Sequence, residues 1–271
     1  MKNIEILQIG QTLIEEYNAG KSCTYLGKKY SISHVTVSKH LKLNGIDVIN
    51  KQNEQSGLKK DIFSKINTEE KAYWLGFLYA DGSVDKNESI ISLCLKESDL
   101  DHINKFKTFI GTSNKISHRH KVKAYRLDFR CKSMKEDLVK LGCVPNKTWI
   151  LSELPNIPEK LKKHFLRGYF DGDGCISFAN IRKDGTCLPA ISIVSNQKML
   201  KVICDFLEQP YKPTKKAGTE VCSIRWSGNK AIKILNFMYE NSTVYLERKY
   251  NRYKIFKENG FAARKSDFPS Y

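Results

Sequence analysis

The sequence predicts an α+β protein made of two halves with the same order of elements, preceded by a small all-α domain. Three observations predict it. A short apolar phrase ending in an acid and a glycine occurs twice, at Trp74 to Gly82 and Leu166 to Gly174, with Asp81 and Asp173 92 residues apart. After each copy, segments of strand alternation and helical spacing follow in matching order, the mark of an internal duplication too long in period for a solenoid. Residues 1–49 show helical spacing alone.

In that first domain Leu13 to Ala19 is spaced as a helix, and Ser22 to Tyr30 reads as a second, short one. A turn at Ser31-Ile32-Ser33 follows, with Ser33 placed to cap a third helix from His34 to about Leu43, closed by Asn44-Gly45. Val37 and Leu41 face inward on this third helix. Thr36, Ser38, Lys39 and Lys42 face outward, a residue set able to reach phosphates and base edges in a major groove. The stretch resembles the helix-turn-helix of resolvases and sigma factors, which implies DNA contact; a bundle that only packs on its neighbour is the alternative.

Residues 50–67 are largely polar and read as a linker. The first half, 68–158, offers a strand at Ser89 to Leu95, a helix from Asp99 to Ile110, a strand at Tyr125 to Lys132 and a helix at Met134 to Leu141. The second half, 159–271, offers strands at Cys175 to Lys183 and Pro189 to Ser195, a helix at Gln197 to Leu207, a strand at Val221 to Ser227 and a helix at Lys230 to Tyr239.

Charge narrows the partner. With 46 Lys and Arg against 29 Asp and Glu, the 271-residue chain carries a net charge of +17, and its basic residues are interleaved with aromatics rather than gathered in a tail. Counterion release rewards such a surface for binding nucleic acid. The eight cysteines include no C-x-x-C pair, so they read as free thiols rather than a disulfide frame or zinc site. His118 and His120 lie among basic residues and read as a solvated face. There is neither an apolar signal core at Met1 nor a run long enough for a bilayer, so the expected location is cytoplasm or nucleoid, with an organelle as the alternative.

Within the repeated phrase, Gly76 with Ala80 and Gly168 with Gly172 sit four residues apart. Each pair strips one helical face of bulk, so that two such helices can approach backbone to backbone. Crossing there would bring Asp81 and Asp173 together at two helix C-termini, where like charges and the helix dipoles repel. The carboxylates and the backbone carbonyls of Ala80 and Gly172 are hard oxygen donors, so Mg²⁺ with retained waters is the expected guest, with Mn²⁺ able to substitute. A reading in which the acids merely cap loops leaves the juxtaposed charges unexplained.

These two phrases resemble the paired motifs of LAGLIDADG homing endonucleases, and the likeness runs over roughly residues 69 to 257. The resemblance implies tandem pseudo-symmetric αββαββα repeats, motif helices at the interface and saddle-shaped antiparallel sheets lying along DNA. It implies metal-dependent hydrolysis of double-stranded DNA at a long asymmetric target, with Asp81 and Asp173 as the catalytic acids. Lys147, 66 residues after Asp81, and Lys249, 76 after Asp173, match lysines that point into the active site in similar enzymes. An ordinary phosphate-contacting lysine is the alternative for each. The sixth motif position, often acidic, is Tyr79 in one copy and Asp171 in the other.

Arg126, Arg130 and Lys132 in the first half, with Arg182, Ser223 and Arg225 in the second, alternate against apolar positions and are candidate groove readers. Because the duplication supplies both halves of the interface, a monomer is expected. A non-cleaving DNA-binding regulator and a maturase acting on intron RNA are the rival readings of the same core.

Overall fold

The computed structural model describes residues 2–46, 48, 57–145, 147, 150–215 and 221–269. They fall into two compact units, 1–55 and 56–271.

The first unit holds α1 (Lys2–Asn18), α2 (Cys23–Lys29) and α3 (His34–Leu43). Serine caps start the two shorter helices: Ser22 Oγ accepts from Tyr25 N–H at 3.1 Å and Ser33 Oγ from Thr36 N–H at 3.0 Å. Such short helices gain most of their stability from packing. Here one residue of α1 (Leu13), one of α2 (Leu26) and two of α3 (Val37, Leu41) are buried together.

The second unit is the duplicated one. Its first half runs α4 (Glu69–Ala80), β1 (Gly82–Val84), β2 (Ile90–Lys96), α5 (Leu100–Ile110), β3 (Ser117–Arg119), β4 (Ala124–Arg130) and α6 (Lys132–Lys140). Its second runs α7 (Glu159–Asp173), β5 (Gly174–Ala179), β6 (Leu188–Asn196), α8 (Gln197–Phe206), β7 (Thr214–Lys215), β8 (Val221–Ser227) and α9 (Asn229–Tyr239), followed by α10 (Glu247–Asn259). Each half is therefore αββαββα. The two four-stranded sheets are antiparallel and share one permutation, β1-β2-β4-β3 and β5-β6-β8-β7. The predicted fold class holds. Strand alternation drives it: Leu127 and Phe129 of β4, and Cys222, Ile224 and Trp226 of β8, are buried against helices, while Arg126, Arg130, Ser223 and Arg225 lie on the opposite faces.

Three expectations change. Lys132 is the first residue of α6 rather than the end of a strand, because the chain turns into that helix at Cys131, so it leaves the row that Arg126 and Arg130 occupy. Arg182 lies beyond the end of β5, in the hairpin loop where its N–H donates to Thr186 O at 2.8 Å. Of the predicted linker, residues 50–56 lie outside the described residues. Leu58, Ile62, Phe63 and Ile66 are buried in the main core, and Lys59 N–H donates to Ile110 O at 2.8 Å, so the chain from 57 onward belongs to the second unit.

Two sets of interactions tie the halves together besides the glycine contacts of the repeated phrases. Arg167 of α7, fully buried, donates to Glu69 Oε1 of α4 at 2.7 Å, to Val244 O at 3.0 Å and to Met238 O at 2.8 Å. Arg248 Nε of α10 donates to both carboxylate oxygens of Asp99, at 3.0 and 3.1 Å. Glu69→Ala leaves the Arg167 guanidinium buried without its carboxylate and is expected to cost about 3 kcal/mol or more, read as a lower urea midpoint.

Candidate active site and nucleic-acid interface

Helices α4 and α7 pack so closely that their glycines touch the opposing backbone. A Cβ at Gly76 would lie 2.8 Å from the carbonyl carbon of Phe165 and 2.9 Å from Tyr169 N. A Cβ at Gly168 would lie 2.8 Å from the carbonyl carbon of Tyr73 and 2.9 Å from Phe77 N. Trp74, Phe77, Leu78, Leu166, Tyr169 and Phe170 are buried around this seam. Further along, Gly172 faces the Ala80 methyl, and a Cβ there would come to 3.0 Å from Asp81 Oδ2. The C-terminal ends of the two helices thus meet, with Asp81 capping α4 and Asp173 ending α7.

The meeting is electrostatically costly. Burial, then the charge of Asp81, pushes Asp173 up to about 6. Burial raises Asp81 as well, against the pull of Lys249 and Lys147. Both lysines are themselves buried, at 8% and 2% exposure for Lys147 and Lys249. Burial brings Lys249 down to about 8. Its ammonium donates to Phe170 O and Asp171 O at 2.6 Å each and lies 3.5 Å from Gly172 O. The Lys147 ammonium donates to Gly82 O.

This donor set fits a hard divalent cation. Two carboxylates held from ionising easily, both by burial and Asp173 also by the charge of Asp81, are the groups a cation relieves, and glycine at 172 leaves the space beside Asp81 open. Asp81 and Asp173 would supply side-chain oxygens, and Ala80 and Gly172 main-chain ones. Among the described residues, no group of three or more His, Cys, Asp or Glu is gathered as a metal cluster, so such an ion would complete its shell with carbonyls and water.

The outer sheet faces carry four of the remaining candidates, Arg126, Arg130, Ser223 and Arg225. On β4, Arg126 Nε donates to Asp128 Oδ1 at 2.6 Å and its NH2 to Ser92 Oγ at 2.9 Å, while Arg130 pairs with Glu88. On β8, Arg225 donates to Ser177 Oγ at 3.2 Å and Phe178 O at 2.8 Å, and Ser223 stands between Val194 and Thr214. Internal bonds therefore hold the arginines of these strands in set orientations. On α3, Lys39 and Lys42 are exposed and Thr36 and Ser38 half-buried, with Thr36 Oγ1 2.7 Å from Ser33 Oγ. The structure does not bring Lys132 or Arg182 onto a strand face. All eight cysteines are free thiols, and Cys94 and Cys175 are exposed. No helix among the described residues is long and apolar enough to cross a membrane.

Sequence reasoning missed Arg167 and gave Asp171 no part. Both are fully buried on α7, four residues apart. The available signal was a charge at each of two places where the first copy of the phrase has Leu75 and Tyr79.

The fold these elements define is that of the LAGLIDADG homing endonucleases. Similar solved structures include the meganuclease I-SmaMI bound to uncleaveable DNA, with a TM-score of 0.51, 14% identity, and coverage of 69% of this chain and 88% of that one. I-SmaMI bound to uncleaved target with calcium ions gives a TM-score of 0.50, 14% identity, and coverage of 71% and 90%. I-SmaMI is described as a LAGLIDADG homing endonuclease. In sequence, the chain is similar to the uncharacterized protein MJ0314 of Methanocaldococcus jannaschii, 31% identical over 175 residues, 62% of this chain. The match spans 65% of that curated relative's length. No known protein-family profile matches the chain.

Proposed function

We propose that the protein is a site-specific, divalent-metal-dependent DNA endonuclease that cuts both strands of a long asymmetric target as a single chain. The observation that carries this reading is the convergence of two repelling, part-buried acids and two buried lysines at the crossing ends of α4 and α7. No structural economy explains placing like charges there; a polyanion bridged by cations does. A bound cation supplies Lewis-acid polarisation of a phosphate oxygen and a more acidic water. Asp81 and Asp173 would hold it. Lys147 and Lys249 set positive charge beside the acids, where it offsets the negative charge that builds on a phosphate under attack. Desolvation strengthens each of these terms, since the field of a buried charge is less screened. Each half serves one strand, and a monomeric mass in light scattering is expected.

The two halves present different residues to DNA, so the target is asymmetric. The first sheet offers Arg126 and Arg130, and the second Arg225 with serines. The first unit adds α3, whose Lys39 and Lys42 reach phosphates and whose Val35, 63% exposed, suits a thymine methyl. Replacing Lys39 and Lys42 together with alanine is expected to weaken binding to all duplexes alike and to lower the salt slope by about 2. Arg225→Ala, in contrast, relaxes preference at one position, at a cost of about 1 to 3 kcal/mol. Binding titrations over a salt series check the first, and a substitution series of the target checks the second.

The direct test is cutting of a randomised duplex library with Mg²⁺, and with Ca²⁺ in its place. Magnesium-dependent double-strand breaks at one sequence are the expected result. Tight site-specific binding without breaks in any metal would sink the enzyme reading in favour of a regulator, and selective retention of structured RNA would favour a maturase.

A further inference from the structure

We propose that Asp171 is a positioning residue: it holds the first turn of α10 so that Lys249 is presented to the two acids. This rests on the endonuclease reading above.

Asp171 is fully buried and uses both of its carboxylate oxygens. Oδ2 accepts from the Tyr73 hydroxyl of the first half at 2.7 Å and from Leu246 N–H at 2.8 Å; Oδ1 accepts from the Tyr239 hydroxyl. Leu246 is the N-cap residue of α10, whose N-terminus has no side-chain cap of its own, and Lys249 lies three residues further on. The main chain of the same aspartate then receives the result, since Lys249 Nζ donates to Asp171 O at 2.6 Å. Asp171 thus grips α10 at two points, one at the start of the helix and one at the tip of its buried lysine. Through Tyr73 it also fixes that grip to α4, the helix that ends in Asp81.

The first half does an equivalent thing with the opposite polarity. Tyr79 stands at the matching place in its motif, and its hydroxyl donates to Leu141 O, six residues before Lys147. The tyrosine donates a hydrogen bond to a carbonyl; the aspartate accepts one from an amide. In both halves the sixth motif position ties down the chain that leads to the lysine.

Four proteins test this by single-turnover cleavage at saturating protein: Asp171→Leu, Asp171→Asn, Lys249→Met and the double variant Asp171→Leu/Lys249→Met. Misplacing a catalytic group by about 1 Å costs about 100-fold, so Asp171→Leu and Lys249→Met are each expected to lose about that much. The double variant should be no slower than Lys249→Met, because the aspartate acts through the lysine. Asp171→Asn keeps a carbonyl oxygen for Leu246 N–H and should stay within about fivefold of the parent. Leu200→Ala on α8 controls for stability, losing melting temperature but no cleavage rate.

Amide exchange gives an arm that does not depend on cleavage. Protection across residues 246–250 should fall in Asp171→Leu and persist in Asp171→Asn and Leu200→Ala. Should Asp171→Leu fail to fold, Leu246→Pro removes the same donor at a backbone φ of −82°, which proline accepts, and should show the same non-additivity with Lys249→Met. Multiplying losses in the double variants, or unchanged exchange over 246–250, would overturn the proposal. A parent that never cuts any duplex would sink the endonuclease reading instead, while exchange still decides whether Asp171 holds the turn.

Discussion

Asp173→Asn is expected to leave a folded protein that has lost the proposed DNA cleavage and that, without divalent metal at pH 8, unfolds at a higher temperature than the parent. The two effects have one cause. On the proposed function, asparagine removes a charged oxygen that would hold the metal, so cleavage should fall by at least about 1,000-fold. It also removes half of a repelling, part-buried pair. The folded-state value for Asp173 is about 6 against an ordinary 3.8, so the folded protein binds the extra proton more readily than the unfolded chain. Stability of the parent is therefore undiminished below about pH 4, declines as pH rises from about 4 to 6, and stays reduced above. In that plateau the variant should lead by about 1 to 3 kcal/mol. Melting curves of both proteins from pH 4 to 8 in EDTA check it; equal curves would remove the electrostatic account. Asp81→Asn should behave alike, since burial raises Asp81 too.

Gly168→Ala is expected to be among the most damaging single-methyl additions in the chain. In an ordinary helix interior this change would stabilise by about 1 kcal/mol. Here the new Cβ would meet the backbone of α4, 2.8 Å from the carbonyl carbon of Tyr73 and 2.9 Å from Phe77 N, and backbone cannot rotate aside as a side chain can. The helices must part, and parting them drags Asp81 and Asp173 out of register. A loss of about 3 kcal/mol or more, with cleavage lost alongside, is the expected result. Lys160→Ala on the exposed side of the same helix is the control and should stay within about 0.5 kcal/mol. Chemical unfolding of the two proteins decides between steric contact and general intolerance of α7 to change.

The elements legible in the sequence were those whose period runs long enough to count. β4 and β8 alternate over seven residues each, and α8 and α9 carry unbroken apolar stripes. β1, β3 and β7 span three residues or fewer and offer no period. α10 escaped notice for a different reason: its buried face is Lys249, Tyr253 and Phe256, so a lysine occupies the first core position and hides the stripe. Lys132 was misread because Arg130, Cys131 and Lys132 continue the strand's alternation through the point where the backbone becomes helical. At the candidate site, Asp81, Asp173 and the two glycines of the seam were visible because the phrase is written twice. Arg167 and Asp171 were not, because their partners (Glu69, Tyr73, Tyr239 and Leu246) lie far off in the chain.

The grip of Asp171 on Tyr73 also fixes which halves can be partners. The residue matching Tyr73 in the second half is Phe165, which has no hydroxyl. A molecule assembled from two second halves would bury two aspartates, each facing a phenylalanine ring instead of a phenol. Two first halves would bring together tyrosines with no carboxylate to receive them. The fused chain is in this sense a lock cut for one key. Were either half of this chain exchanged for another, position 73 and position 171 would have to be inherited together.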